Sequence, residues 1–336
     1  MQLVSVVIVS HNSGSQLENY LDRVLTQTYG DIEVIIIDNA SCSDTVGYLK
    51  RLESPVRVFY NSENTGFAAG QNQGIRAANG QFILSLNPDV KLETTFIASL
   101  VEAMSSSDAI GMVNGKILRI IGNRPSGIID CAGTILTRER AFLNRGEGEK
   151  DTGQYDNSPD IFGISGSAAL LRKSMLTDIQ QGEEYYDESL FCYGEDFDLS
   201  WRARAAGWKA RFEPGAVAYH EVSASSPFSN FARSMIFRNR YLIMIKNESP
   251  RNFFAGLPHI LFYEAFNITR VILHPSLVFT LLRHGKLFLL AWGKRVYLRP
   301  RMRRAQQVGR NLPSGKADIL RRLEAFVMKA FGRRPA

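Results

Sequence analysis

The amino-acid sequence predicts an α/β protein built on a parallel, doubly wound sheet and followed by a helical, basic appendage. Three observations carry that expectation. Short apolar runs of strand length alternate with segments whose apolar residues recur at helical spacing. The runs stop abruptly in polar clusters: Asn12 after the first, Asp38 after the second, and Asn87-Pro88-Asp89 after the fourth. From residue 229 onward the pattern changes to long apolar stretches interleaved with arginine and lysine. The expected organisation is a large domain over 1–228, with halves of about 1–115 and about 116–228, and a C-terminal region over 229–336.

Val4 to Val9 is an almost unbroken apolar run, as expected of a strand covered on both faces. With no basic n-region before it, this run is expected to be a first strand and not a signal peptide. Leu17, Leu21, Val24 and Leu25 then recur at helical spacing, and Gly30 ends that helix. Ile32 to Ile37 is the second strand, and Ser43-Asp44 starts a helix carrying Val46 and Leu49. Val56 to Tyr60 is the third strand. The stretch from Asn61 to Gly74 follows, then a short helix with Ile75, Ala77 and Ala78, capped by Gly80. Phe82 to Leu86 is the central strand. The order β-α-β-α-β-α-β implies parallel strands, whose ends share one side, so Asn12, Asp38, Asn87 and Asp89 should line one crevice.

Pro88 fixes its own φ and pushes Asn87 towards extended geometry. A rigid turn can thus present an amide oxygen and a carboxylate to one point. Two hard oxygens so placed suit Mg²⁺ or Mn²⁺; an Asx-Pro turn leaving a strand is the other reading. A strand-end carboxylate such as Asp38 can accept from a ribose hydroxyl or a pyrimidine N–H. Gly66, Gly70 and Gly74 match neither the dinucleotide fingerprint nor the phosphate-loop pattern, and helix packing is their alternative reading.

Further along, Phe96, Leu100, Val101 and Met104 share a helix face. The segment 122–159 is rich in Gly, Asn, Asp and Arg; such a stretch is usually an irregular functional loop or partly disordered, and here it is read as an acceptor-side insertion. Phe162 to Lys173, containing Gly166, runs from small residues into an apolar strand, and small side chains let backbone approach a ligand closely. Gly194-Glu195-Asp196 opens a helix continued by Leu199 and Arg202 and stopped by Gly207. Carboxylates are favoured at such a start by the helix dipole. Tyr185, Tyr186, Phe191, Tyr193, Phe197 and Trp201 surround these acids, and apolar surroundings raise a carboxylate towards useful base strength. His220 ends a later strand.

Four segments appear in order: Ser5 to Asn12, Ile36 to Asp44, Asn64 to Gly74 and Leu86 to Val90. Together they resemble the nucleotide-binding half of inverting GT-A fold glycosyltransferases, the large family 2, and most nearly its rhamnosyltransferase-like branch. The resemblance runs from about Leu3 to Ser226. It implies a GT-A (Rossmann-like) nucleotide-diphospho-sugar transferase fold over 1–228, with the nucleotide half first and the acceptor half second. It implies that Asp38 and Asp44 help hold the nucleoside, with Asn12, Asn64, Gly66 and Gln71 flanking the donor. Asn87-Pro88-Asp89 stands where the family carries Asp-x-Asp, so Asp89 takes most of the electrostatic binding of Mg²⁺ or Mn²⁺, with Asn87 and His220 beside it. Gly166 borders the sugar and acceptor pocket, Trp201 belongs to the aromatic sugar platform, and Ser223 and Ser225 lie on a loop over the diphosphate. Glu195-Asp196 matches the acidic catalytic motif with Asp196 as base, and Asp198 with Arg202 is a structural ion pair.

The implied donor is a dTDP- or UDP-sugar, rhamnose favoured, and the implied acceptor is a hydroxyl of a glycan or of a polyprenyl-diphosphate-linked glycan. Another donor hexose, a polyprenyl-phosphate acceptor and a non-catalytic nucleotide-sugar binding protein are the alternatives.

The charge distribution bears on partners. The net charge is +7 over 336 residues, but from Lys294 to the end thirteen basic residues face only Asp318 and Glu324. The tail is therefore +11 and the remainder −4. Such a tail fits an anionic surface; nucleic acid is disfavoured because no recognition motif accompanies it. From Phe253 to Trp292 the chain is apolar but interrupted by Pro258, Glu264, Arg270, Pro275, Arg283 and Lys286. A span needs about 20 apolar residues, so these segments are expected to lie in the membrane interface, or else to pack on the main domain or on a second copy in a homodimer. Cys42, Cys131 and Cys192 have neither zinc spacing nor a disulfide framework, which fits a reducing cytoplasm. The expected location is cytoplasmic, peripheral on the inner face of the cell membrane.

Overall fold

A computed structural model describes residues 2–122, 124–221, 229–305 and 312–321, without the side chains of Leu273 and 296–305. The chain divides into two units: Met1–Ile135 with Asn144–Pro227, and Leu136–Leu143 with Phe228–Ala336. Ser223 and Ser225, expected over a diphosphate, lie outside the described residues, as do Arg310, Arg322, Lys329, Arg333 and Arg334 of the basic tail.

The first unit alternates as its apolar periodicity predicts: β1 (Val4–Ser10), α1 (Gly14–Leu25), β2 (Ile32–Asn39), α2 (Ser43–Leu49), β3 (Val56–Asn61), α3 (Gly66–Ala77) and β4 (Phe82–Leu86). There follow β5 (Val90–Leu92), α4 (Phe96–Ser105), β6 (Ile110–Ile121), β7 (Arg124–Cys131), the paired β8 (Thr134–Leu136) and β9 (Phe142–Asn144), and β10 (Asp160–Ile161). The last elements are β11 (Ala168–Arg172), α5 (Lys173–Ile179), a 3-10 turn at Glu188–Leu190, α6 (Glu195–Ala206) and β12 (Lys209–His220).

The main sheet runs β10-β12-β6-β11-β4-β1-β2-β3, with β5 beside β12 and β7 beside β6. The neighbours from β4 to β3 are parallel, as are β6 and β12, but β11 is antiparallel to both β4 and β6. The four strands read as parallel are so, and the sheet as a whole is mixed because β11 runs against its neighbours. The reason is local: the chain enters β11 from the side where β4 ends. Ser85 Oγ donates to the Gly166 carbonyl at 3.0 Å, and Asn87 N donates to the Ser167 carbonyl at 2.8 Å. A strand begun there can only run back. Strands β1 to β4, β6 and β12 all end on that one side.

Strand alternation divides the core between two faces. Val4, Val6 and Ile8 of β1 pack with Leu17 and Leu21 of α1 and Phe96 and Leu100 of α4. Val7 and Val9 pack on the other face with Ala68 and Ile75 of α3 and Leu199 of α6.

Two expectations are corrected inside this unit. The Asn61–Gly74 stretch is not a loop before a short helix, because α3 already begins at Gly66. A Cβ at Gly74 would sit 2.2 Å from Val7 Cγ1, and one at Gly70 would sit 2.7 Å from Val9 Cγ1. These glycines let α3 lie directly on β1. The segment 122–159 is not irregular throughout, since β7, β8 and β9 lie in it. Its loop-like charges are consumed in pairs: Lys116 Nζ lies 3.1 Å from Asp151 and 2.8 Å from Asp156. The Arg145 guanidinium lies 4.9 Å from the ring centre of Tyr155 and 4.8 Å from that of Phe212.

The second unit holds α7 (Asn230–Asn247), α8 (Pro250–Leu273), α9 (Ser276–Arg283) and α10 (Gly285–Ala305). Ser249 Oγ accepts from Asn252 N at 3.1 Å and Pro250 follows it, an ordinary helix start. The apolar stretch does not break at Pro258, Glu264 or Arg270; α8 continues through all three. Buried Arg140 pairs with buried Glu248, and Arg240 Nε donates to the Arg140 carbonyl at 2.9 Å. Among the described residues no single helix is long and apolar enough to cross a membrane, though α8 and α9 as a pair bent by 108° meet that test by length and composition.

Candidate active site

Register brings the strand ends together. Ser10 pairs with Asp38, and Ile8 pairs with Leu86, so the Asn87-Asp89 turn lies two strand spacings from Asp38, about 10 Å. Asp38 is 1% exposed. Its Oδ2 accepts from Ser41 N at 3.3 Å, whereas Oδ1 is buried without a hydrogen-bond partner. A buried carboxylate oxygen left unpaired is costly and marks a position where a ligand donor belongs.

The residues expected to flank a donor divide into ligand-facing and scaffold groups. Asn12, at φ 57°, ties two strand-end loops together: its N donates to Ser41 Oγ at 2.9 Å and its Oδ1 accepts from Cys42 N at 2.7 Å. Asp44 is exposed in the first turn of α2. Asn64 Oδ1 accepts from Gly66 N at 2.9 Å and so sets the start of α3. Gly66 has φ +88°, and a Cβ there would meet the Phe191 ring at 2.5 Å. Gln71 is fully buried, its amide 3.5 Å from the Val7 carbonyl, and Trp201 is 4% exposed against Phe162. Trp201 is thus corrected from a donor contact to core, whereas Gln71 Oε1 is buried without a hydrogen-bond partner, as Asp38 Oδ1 is.

Asp89 follows the Pro88 turn, and its Oδ1 is also buried without a hydrogen-bond partner. The nearest charge partner is His220 Nε2 at 3.4 Å. His220 Nδ1 lies 2.8 Å from Asp130 Oδ2, while Asp130 Oδ1 accepts from Arg119 Nε at 3.1 Å. A carboxylate only accepts, so Nδ1 donates to Asp130, and Nε2, which faces the Asp89 carboxylate, becomes a metal donor only when it gives up its own proton. Burial alone would lower the His220 pKa, but Asp130 and Asp89 override it and push it up to about 10. Burial works against ionisation of Asp130 as well, and there His220 and Arg119 prevail and hold its carboxyl below the usual range. Among the described residues no three His, Cys, Asp or Glu side chains form a complete metal-ligand group. An orphaned Asp89 oxygen beside an imidazole nitrogen and the Asn87 turn still fits a hard divalent cation whose other ligands are water and a diphosphate.

The acids of α6 reach the same place from the opposite side. Gly166 N donates to Asp196 Oδ2 at 3.0 Å, and Phe197 N donates to Oδ1 at 2.8 Å. The backbone that carries Gly166 and Ser167 is bonded to Ser85 and Asn87, so Asp196 and the Asp89 turn share one support. A Cβ at Gly166 would stand 3.7 Å from Asp196 Cβ and 3.4 Å from Phe67. Burial raises the Asp196 pKa against the lowering pull of those N–H donors. Glu195 is 5% exposed and its Oε2 has no hydrogen-bond partner. Burial first, then the neighbouring Asp196 and Asp198 charges, push its pKa well up. Tyr193, exposed at φ 67°, is raised by burial of its hydroxyl and by the charges of Cys192, Glu195 and Asp89, a sign that these acids lie near one another.

What fixes α6 is the expected Asp198–Arg202 pair together with contacts the sequence did not reveal. Asn72, fully buried on α3, donates to the Tyr186 carbonyl at 2.8 Å and accepts from Tyr186 N at 2.8 Å. The Phe191 carbonyl accepts from Ala68 N at 3.0 Å. Arg202 pairs with Asp198 at 2.9 Å, both buried, and donates to the carbonyls of Ile179 and Tyr185. Asn72 was legible only as one member of a polar run. Asp130 lay in a segment read as loop, 90 residues from His220, and no local signal joins the two.

Comparisons with known proteins agree with this geometry. The family described as Glycosyl transferase family 2 matches residues 5–179, and Glycosyl transferase family group 2 matches residues 127–301. The poly-beta-1,6-N-acetyl-D-glucosamine synthase of Staphylococcus aureus is 26% identical over 222 residues, 64% of this chain and 49% of that protein. The chain thus spans about half the length of the curated relatives it matches. The structure of GalNAc-T7 with UDP, GalNAc and Mn²⁺ is similar with a TM-score of 0.58 and 21% identity, over 73% of this chain and 49% of that one. The mannosyltransferase PcManGT from Pyrobaculum calidifontis, in complex with GDP-Man and Mn²⁺, gives a TM-score of 0.52 and 13% identity, over 88% and 87%. At such identities the structural matches speak to the fold alone, the mixed α/β sheet of GT-A glycosyltransferases. The family match covers more than half of the sequence, and the chain belongs to glycosyl transferase family 2.

Proposed function

We propose that the protein transfers a sugar from a nucleotide-diphospho-sugar to an acceptor hydroxyl with inversion at the anomeric carbon. The observation that carries this reading is the convergence of Asp38, Asp89 and Asp196 on one end of the sheet, Asp38 with a buried, unpartnered oxygen and Asp89 with a buried oxygen that faces only His220. Asp38 accepts a donor from the nucleoside. Asp89, with Asn87 and His220, would hold Mg²⁺ or Mn²⁺. When bound, such an ion supplies Lewis-acid neutralisation of charge on the leaving diphosphate.

Asp196 acts as base. Its two N–H donors fix the carboxylate and leave further lone pairs for an acceptor proton. The acceptor oxygen forms its bond to the anomeric carbon as the bond to the diphosphate oxygen breaks, and the proton passes to Asp196. Burial raises Asp196 towards useful base strength, and Glu195 beside it is pushed further up and holds its proton more firmly. Asp130 keeps the His220 ring turned towards Asp89.

For the donor, the motif resemblance favours a dTDP- or UDP-linked rhamnose, and the N-acetylglucosamine polymer named for the Staphylococcus aureus relative makes UDP-N-acetylglucosamine the second candidate. The acceptor is a glycan hydroxyl, free or carried on a polyprenyl diphosphate.

A thermal-shift screen of dTDP-rhamnose, UDP-N-acetylglucosamine and GDP-mannose, with and without Mn²⁺, tests the binding half. A donor at 100 times its Kd stabilises by about 2.7 kcal/mol, a rise of roughly 5–10 °C for a unit of this size. Asp196→Asn should keep that shift and lose transfer. Absence of any donor shift, or full transfer by the variant, overturns the reading.

A further inference from the structure

The outer face of α8 is apolar along its whole length. Phe254 is 69% exposed, Leu261 58%, Ile268 61% and Ile272 70%. Their spacings of seven, seven and four residues put them on one stripe of a 3.6-residue helix. The stripe is about 27 Å long, from 18 residues at 1.5 Å each. The opposite face is turned inward: Ile260, Phe266 and Asn267 are buried. On α9 the same exposure continues at Phe279, 71%, and Leu282, 72%. Four large side chains in a row facing water are unfavourable, and such a patch marks an interaction surface.

The charge of the sequence that carries the stripe bears on the partner. Between residues 250 and 305 there are ten Arg and Lys and one acid, Glu264. Glu264 is consumed internally, with Arg240 Nη1 at 2.5 Å and the Tyr241 hydroxyl at 2.7 Å. A second copy meeting this face by two-fold symmetry would set the same cationic region against itself. An anionic lipid surface has the complementary sign and accepts apolar side chains below its headgroups.

We propose that α8 is an in-plane membrane-docking helix whose Phe254, Leu261, Ile268 and Ile272 stripe enters the headgroup boundary of an anionic bilayer, with the exposed Arg251, Arg283 and Lys286 of α8 and the following helices adding attraction to its headgroups. The surface shares no residue with the sheet-end site, and its test uses no nucleotide-sugar.

The full chain is centrifuged with vesicles of phosphatidylcholine alone, or of phosphatidylcholine and phosphatidylglycerol at 70:30, at low and high salt. The expected result is co-sedimentation with the anionic vesicles, weaker with the neutral ones and weakened by salt. The variant Leu261→Ser, Ile268→Ser, Ile272→Ser should lower partitioning at least about tenfold at an unchanged melting temperature. If that variant melts early, Leu261→Gln alone is compared with wild type. A wild-type protein that stays in the supernatant, or a well-folded variant that sediments like wild type, overturns the proposal. So does a lipid-free dimer by light scattering that the variant converts to monomer, which assigns the face to a second copy.

Discussion

Replacing Glu195 by Gln tests whether the acid pair carries the desolvation that a base needs. In the folded protein Glu195 is 5% exposed and Oε2 lacks a hydrogen-bond partner, so its charged form is disfavoured. Burial, then the Asp196 and Asp198 charges, raise its pKa well above the ordinary 4.5. Above that ordinary value the unfolded chain has released the proton and the folded protein still holds it. Stability therefore falls as pH rises, until the raised pKa is passed and the loss is complete. One retained proton costs about 1.4 kcal/mol per pH unit across that interval. Glu195→Gln removes the term. The amide brings its own unsatisfied N–H₂, but that cost does not change with pH. Urea unfolding of both proteins at several values from pH 5 upward should show the variant gaining on wild type by up to about 1.4 kcal/mol per unit. Because the pair titrates as a unit, the slope belongs to Glu195 and Asp196 together. A difference that stays flat with pH would refute the claim that the pair is buried with an excess proton.

Other predictions follow from the same geometry. Asp130→Asn should weaken Mn²⁺ binding 10- to 100-fold (about the usual effect of losing a group that orients a ligating histidine), measured by electron paramagnetic resonance titration of the free protein. Unchanged affinity would remove Asp130 from the site. Gly74→Ala should destabilise by about 1–2 kcal/mol, since overpacking costs about 1–3 kcal/mol against a helix gain of up to about 1 kcal/mol. The clash is with Val7 Cγ1 at 2.2 Å, so Val7→Ala in the same chain should recover part of the loss, and strict additivity would show that the two do not touch.

Much of the fold was legible in order of residues. The runs Val4 to Val9, Ile32 to Ile37 and Phe82 to Leu86 are too apolar to be anything but covered strands, and each became one. Gly194 and Gly207 marked both ends of α6, and both stand at positive φ there. Chemistry at the strand ends was legible for the same reason, because an Asp or Asn directly after a buried strand has few structural uses.

What the sequence by itself determined is local: which segments are strands and helices, and which polar residues leave them. Only the tertiary structure decided that β11 runs backwards between β4 and β6, that Trp201 is core, and that Asp130 reaches His220 across 90 positions. The physical reason is that periodicity reports how one segment faces its surroundings. Strand direction, hydrogen bonds between distant segments and the desolvation of a carboxylate depend on which other segments arrive beside it, and no local pattern encodes their arrival.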